Sequence, residues 1–252
     1  MSTIPKKIHY VWLGKAKLPT SVKDCIKSWR KHMPEYEIKC WSEENFDLNS
    51  VDWVKEAIEQ KKWSLASDYI RHYALYTEGG IYLDTDVKVF KSFDEFLDWD
   101  FFSSVEYHPK VFRTLGEKQL DSNKHALIPN DYIDGLGVLA ACFGAKKGNP
   151  YIKECMDFFS SKHFVKEDGS LFTDIINPGI MATIATKYGF VYDDVEQKLQ
   201  GNMKIYNSSV FAGDLSTLNS NSYSMHYCDG SWRDNSLIHK IKSDIKVILF
   251  RY

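Results

Sequence analysis

Apolar positions near the start of the chain switch between two periods. In "KKIHYVWLG" an apolar run from Ile8 to Leu13 ends at Gly14, as in a buried strand. "SVKDCIKSWRKHM" then places its apolar residues on one helical face and is closed by Pro34, and "YEIKCW" reads as a second strand. This order predicts a parallel pair joined by a right-handed crossover, and so an α/β domain with its ligand at the carboxyl ends of the strands. "SVDWVKEAIEQKKWSLASDYIRHYALYTEGG" predicts two helices, the second from about Ser64 to Glu78 and capped by Gly79. "SFDEFLDWDFFSSVEY" predicts a short helix and a strand. "HPKVFRTLGEKQLDSNKHALIPNDY" has weak periodicity and many turn formers, which predicts a mobile loop. "GLGVLAACFGAKKGNPYIKECMDFFSSKH" reads as strand, turn and helix, with Pro150 at an early helical position, and "NPGIMATIATKYGF" as a further helix. No repeat or linker divides the chain, so one domain spanning 1–252 is the expectation.

Composition narrows the function classes. The chain has 252 residues, 44% of them hydrophobic, enough for a full core. A net charge of −2 gives no electrostatic footprint for nucleic acid, which is set aside. Five scattered cysteines without C-x-x-C spacing point away from a disulfide framework or a zinc site and toward a reduced, cytoplasmic setting. The apolar run before Gly14 is too short for a signal-peptide core, and no later run reaches the length of a membrane span.

The candidate chemistry lies in "GGIYLDTDVKVF". On a continuous strand, Asp84 and Asp86 point to one face, about 7 Å apart along the chain. Two carboxylates aimed at one spot repel unless a cation sits beside them, and a hard divalent ion carrying a phosphate suits that spot. A solvated turn after an edge strand is the plainer reading. A haloacid-dehalogenase-type phosphatase with Asp84 as nucleophile is a further one, although its pattern continues with Gly and then Thr or Val, where this chain has Val87 and Lys88. Asp68 and Arg71 share a helical face, a spacing that an intrahelical ion pair also explains. Trp12 at a strand end and His226 in "MHYCDGSW" read as a core aromatic and a loop histidine, or as ligand contacts.

Taken in order, "IPKKIHYVWLG", "LASDYIRHYALYTEGGIYLDTDV", "FGAKKGNPYI", "NPGIMATIATKYG" and "HYCDGSW" resemble the bacterial members of glycosyltransferase family 32. These DXD sugar transferases are related to the glucosyltransferase domains of clostridial toxins. The resemblance runs from about Ile4 to Trp232 and centres on S-D-x-x-R-x-x-x-L-x-x-x-G-G-x-Y-x-D-x-D. It implies a GT-A fold: a Rossmann-like nucleotide-binding sheet flanked by helices over about 1–110, an acceptor-binding part over about 111–235, and a tail over 236–252. It also implies Mn²⁺ or Mg²⁺ and a nucleotide-sugar donor, a UDP-sugar favoured, with retention of anomeric configuration. By the same resemblance Asp86 and Asp84 hold the metal, His226 completes its shell, and Asp84 also contacts the donor. Asp68 and Arg71 reach the donor sugar and ribose, Trp12 stacks near the base, Tyr82 lines the pocket, and Ser231 and Trp232 contact the diphosphate. Asp134 is a candidate catalytic residue in the acceptor region. The implied acceptor is a glycan, lipid-linked as in surface polysaccharide assembly at the inner face of the membrane. A catalytically inactive sugar-binding module is the remaining alternative.

The tail "SLIHKIKSDIKVILFRY" repeats Leu237, Ile238, Ile241, Ile245 and Ile248 at helical spacing beside Lys240, Lys242 and Lys246. A basic amphipathic helix lying on an anionic membrane surface and a terminal element packed on the core both fit.

Overall fold

The computed structural model of the protein describes residues 3–228. β1 (Lys7–Val11), α1 (Thr20–His32) and β2 (Glu37–Trp41) open the chain, and β1 and β2 pair in parallel with Lys7 opposite Glu37 and Val11 opposite Trp41. α2 (Asp52–Glu59) and α3 (Trp63–Glu78) follow, then β3 (Gly80–Leu83) and β4 (Val87–Val89). β5 (Phe101–Tyr107), α4 (Pro109–Thr114), β6 (Leu136–Val138), β7 (Cys142–Ala145), α5 (Pro150–Ser160) and α6 (Asn177–Ala185) make the middle. β8 (Gln197–Leu199), β9 (Met203–Tyr206), β10 (Phe211–Ala212) and β11 (Ser224–His226) complete the described part. The main sheet runs β2-β1-β3-β7-β5-β9-β8 with β6 paired to β5, and a second sheet runs β10-β11-β4. The main sheet is mixed: β3 and β5 both pair antiparallel with β7.

Alternation along the central strands divides the core into two layers. Tyr82, Phe143, Phe101 and Val105 join one buried cluster with Trp53, Ile70 and Ile152 from α2, α3 and α5. Their neighbours Ile81, Leu83, Cys142 and Phe102 join another with Val22 and Trp29 of α1 and Val87 and Met225 of the small sheet. Because side chains alternate across a strand, the two clusters lie on opposite faces of the main sheet. Helices α2, α3 and α5 cover one face, and α1 with the small sheet covers the other.

The double glycine before β3 has a steric cause. Gly79 and Gly80 have φ of +70° and +116°. A Cβ on Gly80 would stand 2.6 Å from the Lys7 carbonyl oxygen, and one on Gly79 2.7 Å from the Lys147 backbone nitrogen. Only glycine lets α3 stop at this point and β3 enter the sheet beside β1. His9 stabilises the junction: its Nε2 lies 2.8 Å from the Gly79 carbonyl, and its Nδ1 accepts from Trp41 Nε1 at 3.0 Å. Burial lowers the pKa of His9 to about 4, so the ring is neutral.

Two expectations are corrected here. Residues 108–132 are not a featureless loop: they contain α4, a short 3₁₀ turn over Gly116–Gln119 and a bridge between Leu120 and Ala126. The weak periodicity arises because α4 has only 6 residues, less than two turns. The single strand read in "GLGVLAACFGA" is two, β6 and β7, because the chain leaves its pairing with β5 at Leu139 and re-enters the sheet at Cys142. Among the described residues, no helix is long and apolar enough to cross a membrane.

At the carboxyl end of β5, His108 lies between Glu106 (3.2 Å) and Asp214 (3.3 Å), tying β5 to the loop after β10. Hydrogen bonds to Asp214 and Glu106 raise the His108 pKa to about 10 against the cost of burial. A raised pKa means that the native state holds the proton more tightly than the unfolded chain. The tie therefore contributes its full stability below the ordinary histidine pKa of about 6.5 and loses it as pH rises toward about 10. Urea unfolding between pH 6 and 10 is expected to show that decline in the wild type and a smaller one in His108→Gln.

Candidate active site

The site assembles where β3 ends and the chain crosses into the small sheet. Asp84 and Asp86 are not on a strand: Asp84, Thr85 and Asp86 form a turn between β3 and β4, closed by the Val87 N–H donating to the Asp84 carbonyl at 3.0 Å. Strand alternation therefore does not aim the two carboxylates, because β3 and β4 belong to different sheets and the chain must bend between them. The outcome is still convergent. The Asp84 N–H donates to the Ala141 carbonyl at 2.8 Å, and the Tyr227 N–H donates to the Asp86 carbonyl at 3.1 Å, which holds the turn from both sides.

β11 lies antiparallel to β4 with His226 opposite Val87, so His226 arrives beside the turn. One ligand atom each from Asp84, Asp86 and His226 lies within 4.8 Å of the other two. His226 Nε2 is 3.2 Å from Asp86 Oδ1, and Nδ1 is 3.3 Å from Cys228 Sγ. Burial pulls the His226 pKa down, but the Asp86 carboxylate and Cys228 outweigh it and hold it well above the ordinary value. Two carboxylate oxygens and an imidazole nitrogen are a donor set suited to a hard or borderline divalent cation, the nitrogen favouring Mn²⁺ over Mg²⁺. To ligate, His226 presents the Nε2 lone pair, with its proton on Nδ1 toward the cysteine sulfur.

Behind the turn, α3 contributes a buried guanidinium. Arg71 Nη1 donates to the Ala140 carbonyl at 2.7 Å and, more weakly, to Asp84 Oδ2 at 3.4 Å. Its Nη2 reaches Asp68 Oδ1 at 3.1 Å and Ser67 Oγ at 3.0 Å. The Asp68–Arg71 spacing is thus no surface ion pair: both residues are buried, at 7% and 5% exposure. Burial raises the Asp68 pKa to about 6, against the pull of Arg71. For Arg71, burial opposes the charge, but Asp84, Tyr82 and Asp68 more than restore it. Tyr82 stacks under Arg71 at 4.7 Å and donates its hydroxyl to Asp84 Oδ1 at 2.8 Å. Burial keeps that hydroxyl protonated. Both oxygens of Asp84 are therefore held by donors, which disfavours its use as a phosphatase nucleophile.

The remaining sequence candidates divide. Trp12 is half-buried at the end of β1, and its Nε1 donates to the Ala16 carbonyl at 2.7 Å, which fixes the ring. Asp134 lies in the turn before β6, where its N–H donates to Gln119 Oε1 at 2.8 Å. Ser231, Trp232 and the tail over 236–252 lie outside the described residues. Sequence reasoning missed two participants, Asn177 and His72. Asn177, at the start of α6, donates Nδ2 to Asp68 Oδ1 at 3.2 Å from 109 residues away, and His72 Nε2 is 3.1 Å from Asn177 Oδ1. His72 is i+4 from Asp68 and could have been found on the same helical face; no local pattern marks Asn177.

With this geometry in hand, known proteins supply a comparison. Residues 19–102, about a third of the chain, match the model of the glycosyltransferase sugar-binding region containing the DXD motif. Over 102 residues the chain is 29% identical to inositol phosphoceramide mannosyltransferase 3 of Schizosaccharomyces pombe, covering 39% of this chain and 28% of that protein. It is 26% identical over 111 residues to subversion of eukaryotic traffic protein A of Legionella pneumophila, covering 33% of this chain and 17% of that one. The chain thus spans less than a third of either curated relative. The solved structure of PaToxG glycosyltransferase superposes with a TM-score of 0.51 at 17% identity, over 74% of this chain and 70% of that one. The fold is that of the GT-A glycosyltransferases. In this GT-A chain, the DXD motif is Asp84-Thr85-Asp86, the turn that meets His226.

Proposed function

We propose that the protein is a metal-dependent glycosyltransferase that moves a hexose from a nucleotide-sugar, a UDP-sugar favoured, to a hydroxyl of a glycan acceptor. The observation that carries this reading is the convergence of Asp84, Asp86 and His226 on one spot in front of the buried Arg71–Asp68 pair. Asp84, Asp86 and His226 would hold the divalent cation, which when bound neutralises charge building on the leaving diphosphate. Asp68 and Arg71 orient donor hydroxyls from the helix side, Tyr82 fixes the Asp84 carboxylate, and Trp12 would stack on the base. Ser231 and Trp232 belong to this reading as diphosphate contacts. Because Asp84 is held at both oxygens, attack by the acceptor hydroxyl on the leaving-group side, with retention, fits better than a covalent intermediate on that residue. Residues 1–110 serve the donor and about 111–235 the acceptor, with Asp134 a candidate there. The reading favours a lipid-linked acceptor of surface polysaccharide assembly. Hydrolysis of UDP- and GDP-sugars screened with Mn²⁺ tests the proposal, and failure of every donor would defeat it.

A peripheral membrane contact at the cytoplasmic face belongs to the same reading. Val111, Leu115, Leu127 and Ile128 are exposed large apolar residues within one stretch, interleaved with exposed Lys110, Arg113, Lys118 and Lys124. Apolar side chains that insert and cations that meet anionic headgroups are the ingredients of interfacial binding. Leu127→Ser with Ile128→Ser is expected to reduce cosedimentation with anionic liposomes severalfold without altering donor hydrolysis. Unchanged cosedimentation would remove this stretch from the reading.

A further inference from the structure

Behind the donor side of the site, α3 carries a histidine that no ligand can touch. His72 has 0% exposure, and its ring lies between those of Phe143 and Phe159, at 5.5 and 5.8 Å between centroids. Burial lowers its pKa to about 3, so the ring is neutral. Its contact at Nε2 is with a carbonyl-type oxygen, Asn177 Oδ1, so Nε2 carries the proton and Nδ1 is left as an acceptor. Among the described residues, that Nδ1 has no hydrogen-bond partner. A buried acceptor without a donor is a cost that a phenylalanine or leucine in the same aromatic slot would avoid. Such a cost points to a use for the other nitrogen.

That use is visible one step further. With Oδ1 of Asn177 engaged by His72, its amide nitrogen faces Asp68 Oδ1, the same oxygen that Arg71 Nη2 reaches. Among the described residues, the contacts of Asp68 with Asn177 and Arg71 both fall on Oδ1, which leaves Oδ2 as the oxygen available to a ligand. We propose that His72 is a positioning residue: it locks the Asn177 amide with its NH₂ toward Asp68, which orients the carboxylate to present Oδ2 to a hydroxyl of the donor sugar. The final clause rests on the nucleotide-sugar reading; the lock itself does not. Without the His72 N–H, the Asn177 amide is free to turn its oxygen toward Asp68. Two acceptors then oppose each other, and the carboxylate either swings away or takes up a proton.

The test compares wild type with His72→Phe, which keeps a packed ring and loses the donor, and His72→Gln, whose amide nitrogen can replace Nε2. His72→Met serves in place of the phenylalanine variant if that ring is not accommodated. Three quantities are measured: urea stability, the titration of the Asp68 carboxyl by carbon NMR, and KM for the donor found in the hydrolysis screen. His72→Phe is expected to be at least as stable as wild type, to titrate Asp68 at higher pH, and to raise donor KM about 10-fold, the lower end of effects seen for supporting residues around ligand groups. Affinity for UDP should not change, and His72→Gln should restore both altered values. An Asp68 titration and donor KM in His72→Phe equal to wild type would overturn the proposal, as would losses that His72→Gln fails to restore. A shifted Asp68 titration in proteins that turn over no nucleotide-sugar would uphold the lock and sink the donor reading instead.

Discussion

Asp86→Asn is expected to lower turnover by orders of magnitude and to abolish the Mn²⁺ dependence of UDP binding while leaving the fold intact. The substitution keeps the shape of the side chain and removes one of the two charges that converge with His226. Loss of a single group that stabilises charge in a transition state costs about 10²–10³ in turnover. On the proposed reading the loss reaches further, because metal and diphosphate would bind as a linked pair, so that weakening one weakens the other. His226→Ala leaves both carboxylates and should weaken metal affinity about 10-fold or more. Folding survives because the turn is held by backbone hydrogen bonds, from Val87 to Asp84, Asp84 to Ala141 and Tyr227 to Asp86, none of which uses the Asp86 carboxylate. Calorimetric titration of UDP with and without Mn²⁺ on the three proteins decides the matter. Full activity in EDTA, or Mn²⁺-dependent UDP binding unchanged in Asp86→Asn, would falsify the metal reading.

Arg71→Lys is expected to remove most activity and also to destabilise the protein. The planar fork of Arg71 serves the Ala140 carbonyl, Ser67, Asp68 and Asp84 at once. A lysine ammonium at the end of a different stem can reach one or two of these. Ala140 lies between β6 and β7, so its unpaired carbonyl would loosen the connection that also accepts the Asp84 N–H through Ala141. Breaking one partner out of a buried charge network costs about 3–5 kcal/mol. Retention of the positive charge places the lysine variant below that range, at about 1–3 kcal/mol, the cost of a buried polar group left unsatisfied. Urea unfolding and donor hydrolysis measured together check both halves. Wild-type turnover with wild-type stability would mean that the guanidinium is a passive ion-pair partner.

Where a function is written locally, it was legible. The 3.6-residue period of α3, its stop at Gly79 and the parallel pairing of β1 with β2 all follow from spacing within a few residues. So does the presence of Asp84 and Asp86 at a strand end, because a hydrophobic run followed by charge marks where a chain leaves the core. The geometry of those two aspartates was not legible: a strand and a turn can both carry D-x-D. The turn is imposed by β4 joining β11 in a second sheet, a pairing between segments far apart in the chain. The burial of Asp68 and Arg71 was equally hidden, since i, i+3 spacing looks the same on an exposed helix as on one covered by α6 and the segment between β6 and β7. His226, Asn177 and Ala140 meet the DXD turn or the Arg71–Asp68 pair behind it only because the sheets close. By itself, the sequence determined which residues can carry charge, which stretches can form helix or strand, and where glycine alone fits. Tertiary structure decided which of those charges share one low-dielectric space, because that depends on contacts whose partners no local period connects.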